Sequence, residues 1–185
     1  MIKDLLEDAK RRMAKSVETF KNEIARIRTG RASVALLDGV KVDYYGTLMP
    51  LNQMATISVA DAHLILVQPW DVSAIGAIEK AIQRAELGLN PVNDGKVIRI
   101  AVPPLTEERR KELVKMVRKI AEEARVAVRN IRRDVMDDLK ELKKEGEISE
   151  DDFFRAQEQV QKITDEFIGK IEKLLEQKEK DIMTI

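Results

Sequence analysis

No cysteine occurs among the 185 residues. That excludes a disulfide framework, a thiolate nucleophile and any cysteine-ligated zinc or iron–sulfur site, and it suits a reducing compartment such as the cytoplasm. Aromatic residues make up only 4% of the chain and there is one histidine, His63. A lone histidine at the start of an apolar strand reads as structural, so no catalytic or metal-ligating residue is expected. Charge of one sign does not predominate either: Lys plus Arg equals Asp plus Glu at 33 each, which excludes a uniformly basic nucleic-acid coat. No run approaches the ~18 apolar residues of a membrane span. The opening MIKDLLEDAKRRM has no apolar core or small-residue cleavage site, so no signal peptide and no membrane partner are expected. A Gly-rich phosphate loop followed by Lys-Ser or Lys-Thr is also missing, so the chain is not expected to hydrolyse nucleotide by that route.

What remains is a chain 36% charged and 44% hydrophobic, a composition suited to long solvated helices around a substantial core. Ile2, Leu6, Ala9, Met13, Val17, Phe20, Ile24 and Ile27 recur three or four residues apart, which predicts one face of a helix that Gly30 breaks just after Thr29. From Thr106 the same periodicity returns. Leu113, Val117, Ile120, Ala124, Ala127, Ile131, Val135, Leu139 and Leu142 form a seam to Lys144, a helix about 57 Å long. Gly146 closes it, and Ser149 caps a third helix striped by Phe153, Ala156, Val160, Ile163, Phe167, Ile171 and Leu174. Three single stripes are stable only when buried against each other, which predicts an elongated three-helix bundle formed by residues 1–30 and 105–185.

Residues 31–104 follow a different grammar, with β-branched runs, turn signals at Gly46 and Asp94-Gly95, and all five prolines. They predict a small inserted α+β domain with strands at 40–45, 55–59, 63–67 and 97–102. A helix over 73–87 is capped by Ser73 and stopped by Gly88. Trp70, Tyr44 and Tyr45 are expected to pack this domain, and Met13, Met116 and Met136 to fill the bundle. The connections at 29–31 and 102–105 pair a glycine with a rigid Pro103-Pro104, a pattern that suits a hinge as well as simple helix boundaries.

The zero net charge conceals an uneven distribution. Residues 105–134 carry 10 basic and 6 acidic groups, whereas residues 135–185 carry 9 and 15. On the second helix, Lys111, Lys115, Arg118, Arg125, Arg129, Arg132 and Arg133 fall largely opposite the seam. Arg118 to Arg133 spans about 22 Å, enough to follow several RNA phosphates. The competing reading is a solvated face neutralised by Glu122 and Glu123. Two functional classes follow: a non-catalytic RNA-binding factor, or a coiled-coil protein-binding adaptor or chaperone. Salt-sensitive binding distinguishes them.

Several motifs spread over the whole chain carry a resemblance: RIRTGRAS at 26–33, LLDG at 36–39, YYG at 44–46, GLNP at 88–91, PPLTEERR at 103–110, ARVAVRNIRRD at 124–134 and ISEDD at 148–152. Together they resemble bacterial ribosome recycling factors. The resemblance implies an L-shaped monomer, with a three-helix bundle as domain I and a β/α/β domain II on two flexible linkers. It implies binding to the large ribosomal subunit after termination and, with elongation factor G and GTP, splitting of the spent ribosome. The GTP belongs to that partner, and no cofactor is implied for this chain. Carried onto matching positions, the resemblance implies ribosomal-RNA contacts at Arg110, Arg129 and Arg132, and at Arg28, Arg31, Arg125 and Arg133. It also implies a hinge at Gly30, Arg31, Pro103, Pro104 and Leu105.

Overall fold

A computed structural model describes residues 1–184. The chain divides into two compact units, Met1–Thr29 with Glu107–Thr184, and Gly30–Thr106. The first unit is built from α1 (Ile2–Ala25), α3 (Glu107–Lys144) and α4 (Glu150–Met183), which pack pairwise against one another. On α1 the stripe buries Ala9, Met13, Val17, Phe20 and Ile24. The helix stops at Ala25 and not at Thr29, because Arg26 and Ile27 tighten into the turn and donate their N–H groups to the carbonyls of Glu23 and Ile24. The Ile27 carbonyl then accepts a 2.8 Å hydrogen bond from Lys178 Nζ on α4. Burial lowers the pKa of that ammonium.

The α3 helix keeps its expected bounds, but its buried face differs from a single seam. Val114, Ala121 and Val128 are buried, while Ile120, Ala127 and Leu142 are only half-buried. The cause is geometric: α3 touches both α1 and α4, so positions on either side of a two-per-heptad seam are covered. The same two-sided covering leaves Met116 exposed and Met136 half-buried, whereas Met13 is wholly enclosed. A glycine turn joins α3 to α4. Gly146 has φ +74°, Gly146 N–H donates to Lys143 O, and Glu147 N–H donates to Leu142 O, satisfying the last carbonyls of the helix. Ser149 Oγ accepts from the Asp152 N–H at 3.0 Å and starts α4.

In the second unit, β1 (Lys41–Tyr44) and β2 (Thr47–Pro50) form an antiparallel ribbon. Tyr45 and Gly46 turn it with φ of +50° and +83°, the two positive angles of the tightest hairpin type. A separate antiparallel sheet has the order β3 (Ala55–Asp61), β4 (Leu64–Pro69), β6 (Ile98–Ala101), β5 (Asn90–Asn93). Ile65 and Val67 of β4 and Ile98 and Ile100 of β6 face inward, and α2 (Ile75–Arg84) covers them with Ile78 and Ile82.

Strands β2 and β5 escape sequence reading because TLMP and NPVN are poor in β-branched residues. β5 tolerates Pro91 because it is an edge strand. The helix is shorter than expected and Ser73 is not its cap. Asp71 Oδ1 accepts from both the N–H and the Oγ of Ser73 and holds a 3-10 turn over Val72–Ala74. The Asp71 carboxylate also accepts a 2.6 Å hydrogen bond from Tyr44 Oη. Trp70 and Tyr45 are largely exposed and do not pack the core, since Trp70 follows the last residue of β4 and Tyr45 sits at a hairpin tip.

Two outcomes are expected. Val128→Ala should cost the bundle about 2 kcal/mol, whereas Val126→Ala on the exposed side should cost under about 0.5 kcal/mol, as read by urea unfolding followed by far-ultraviolet circular dichroism. The Tyr44 hydrogen bond comes first among the groups that lower the Asp71 pKa, ahead of the Ser73 hydroxyl and N–H. A depressed carboxylate contributes stability above its unfolded pKa and loses it as pH falls through the folded value. Tyr44→Phe should therefore move the Asp71 carboxyl titration upward and move the onset of acid unfolding of this unit to higher pH, both readable by NMR.

Candidate nucleic-acid interface

The basic residues of α3 separate into two rows. Arg118, Arg125 and Arg132 recur every seven residues and face α4. Arg118 Nε donates to Glu179 Oε1 at 2.6 Å. Arg125 is held by both oxygens of Glu172, at 2.5 Å from Nε and 3.2 Å from Nη2, and by Glu122 Oε2 at 2.7 Å from Nη1. Arg132 Nη1 donates to the Gln161 side-chain oxygen at 3.1 Å. The acids missing from the run around Arg125 are thus supplied by a helix 47 to 61 residues downstream. The carboxylates raise the pKa of Arg118 and Arg125, first through the hydrogen bonds these arginines donate to Glu179 and Glu172.

The outer row carries Arg129 and Arg133. Arg129 meets Glu122 at 3.3 Å, a loose contact on a side chain still 43% exposed. Arg133 is exposed and has no carboxylate within ion-pair distance among the described residues. Glu122 is shared by Arg125 and Arg129, and the Arg125 hydrogen bond leads in lowering its pKa. Lys111 and Lys115 are exposed. At the α4 N-terminal end, Arg132, Arg133, Lys140, Gln157 and Gln161, with one acid, Asp137, ring a groove floored by Phe153 and Val160.

The remaining positions are scattered. Arg110 is buried, its Nη1 reaching the Met183 carbonyl at 3.4 Å in the last turn of α4 and its Nε lacking a hydrogen-bond partner. The favourable charge of a guanidinium at a helix C-terminus accounts for that placement. Arg28 is exposed in the first unit and Arg31 in the second. The Gln161–Asp165 pair was not found by sequence reasoning, which looked for cations on α3 and passed over the polar face of α4.

Both chain connections are fastened to the β3–β4 turn. Ala32 N–H donates to Ala62 O at 2.7 Å, and Val102 N–H donates to His63 O at 2.8 Å. The Nδ1 of His63 is buried and unbonded. Between these anchors and the bundle helices lie residues 26–31 and 103–106. Gly30 has φ +80°, and a Cβ there would stand 2.9 Å from Leu105 Cγ and 3.2 Å from Leu105 N. Proline, fixed near φ −65°, cannot occupy that position.

These features define a helical-bundle factor that presents an arginine-lined groove and carries a second unit on two short connections. The model of the ribosome recycling factor family matches residues 20–183, and the chain belongs to that family. It is 57% identical to the ribosome-recycling factor of Desulforapulum autotrophicum, with both chains covered in full. Against that of Nitratidesulfovibrio vulgaris it is 56% identical over 100% of this chain and 99% of the relative. Among solved structures, a solution structure of the ribosome recycling factor superposes with a TM-score of 0.78 at 52% identity, covering 100% of this chain and 98% of the other. A second, giving models for the Thermus thermophilus ribosome recycling factor and the Escherichia coli elongation factor G bound to the E. coli post-termination complex, has a TM-score of 0.64 at 52% identity with full coverage of both chains.

Gly30→Ala should destabilise the second unit by about 1–2 kcal/mol, the cost of a Cβ in the left-handed region. Trp70 is the sole tryptophan and lies in that unit, so urea unfolding followed by its fluorescence isolates the effect.

Proposed function

We propose that this chain is a non-catalytic, cytoplasmic translation factor that binds the large ribosomal subunit after termination and, with elongation factor G and GTP, splits the post-termination ribosome. The observation that carries the reading is the Arg132–Arg133 wall of the α3–α4 groove, whose guanidinium groups meet no carboxylate within ion-pair distance among the described residues. Such cations are available to RNA phosphates and release counterions on binding. Membership of the family supports the reading, as do models of a 52% identical factor and elongation factor G bound to a post-termination complex.

In this reading residues 1–30 and 105–185 grip ribosomal RNA, and residues 31–104 are moved by the partner GTPase. Arg129, Arg132 and Arg133 make the principal phosphate contacts, with Arg28 and Arg31 adding charge near the first connection. Arg125 is committed between α3 and α4 and Arg110 to the last turn of α4, so neither is counted among the phosphate contacts. The hinge comprises Gly30, Arg31, Pro103, Pro104 and Leu105, which fall in the stretches left between the β3–β4 anchors and the bundle helices. Proline offers no N–H to tie those stretches down. Chemistry enters through GTP hydrolysis on elongation factor G, and this chain converts the resulting motion into separation of the subunits.

The test joins two assays. The chain should disassemble post-termination ribosomes only when matched elongation factor G and GTP are both supplied. Its affinity for isolated large subunits should fall linearly with salt on logarithmic axes. Arg129→Ala with Arg133→Ala should reduce that slope by about two. Binding indifferent to salt would overturn the RNA reading.

A further inference from the structure

The row of arginines facing α4 meets unlike partners. Arg118 and Arg125 are each answered by a carboxylate, Glu179 and Glu172, while Arg132, one heptad further on, is answered by the neutral amide of Gln161. That amide is not free to turn. Its NH2 group donates to Asp165 Oδ1 at 2.8 Å, which leaves its oxygen facing the guanidinium. A flipped amide would set N–H against guanidinium and oxygen against carboxylate. Asp165 itself occupies the heptad position that continues Glu179 and Glu172, so the charged residue of this rung stands one side chain back from the arginine.

Arg118 and Arg125 show what a direct carboxylate does to an arginine of this row: it answers the charge in place, by Glu179 on a side chain 63% exposed and by Glu172 and Glu122 on one 18% exposed. Arg132 instead lines the open groove with Arg133, Lys140, Gln157 and one acid, Asp137.

We propose that Gln161, clamped by Asp165, is a positioning residue for Arg132: it aims the guanidinium along the groove and, being neutral, leaves the positive charge to an RNA phosphate. The RNA site is then built from two helices, α3 supplying charge and α4 supplying direction. This rests on the RNA-binding reading above.

The experiment measures affinity for isolated large ribosomal subunits across a salt series for the wild-type chain, Arg132→Ala, Gln161→Glu and Gln161→Ala, with thermal unfolding of each. Arg132→Ala should weaken binding about tenfold and reduce the salt slope by about one. Gln161→Glu should do the same with the chain still cooperatively folded, because the new ion pair to Arg132 is offset by the repulsion set up against Asp165. Gln161→Ala should weaken binding by less and keep the full slope, since the charge remains but its aim is lost. If Arg132→Ala leaves binding unchanged, the RNA role of Arg132 fails and the proposal falls with it. If Arg132→Ala weakens binding while Gln161→Glu keeps the wild-type affinity or slope, the proposal alone is overturned.

Discussion

A 38-residue helix that must satisfy two neighbours at once governs this molecule. The α3 helix buries one flank against α1 and another against α4, and the phase of that double contact decides where every other residue on it points. With Val117, Ala121, Val128 and Leu139 wholly or almost wholly enclosed, a turn of a few tens of degrees would pull apolar groups into water at about 25 cal/mol for each Å² exposed. The arginines therefore have no freedom to redistribute around the axis. One row is committed to α4 and the other to solvent, and the groove at the distal end lies on the border between them.

The second unit shows how a small domain is carried on a long one without two independent tethers. Its connections converge on one hairpin turn, Ala62-His63, which holds both by main-chain hydrogen bonds. Main-chain contacts of this kind depend little on side-chain identity. The side-chain requirement falls on Gly30, where a left-handed backbone and the nearness of Leu105 leave no space for a Cβ.

The bundle was legible because periodicity survives in a single stripe, and the α3 and α4 ends were legible because Gly146 and Ser149 act locally. The middle of α3 was read as one seam because a sequence does not announce that a helix has two partners. Ala121 and Val128 became core for that reason. Strand β5 was missed because its place is set by pairing with β6, which its own Asn and Pro residues do not foretell. For the interface, the cations were visible, as was Glu122, which pairs with Arg125 and Arg129, but the partners on α4 were not. Glu172 and Glu179 lie in a remote helix, and Arg110 reads as an ordinary surface arginine until the last turn of α4 closes over it.

The ladder between α3 and α4 also has a periodicity of its own. Both sides repeat every seven residues, so sliding one helix past the other by a heptad would set Arg118 against Glu172, Arg125 against Asp165 and Arg132 against Glu158, with every cation still answered. Charge alone makes a rack whose teeth engage equally well in more than one position. The short glycine turn at Glu145 to Ser149 is the stop that selects the tooth, and it selects the one in which Arg132 meets an amide and not an acid. The length of one hairpin, outside the arginine row, thereby sets how much positive charge the groove presents.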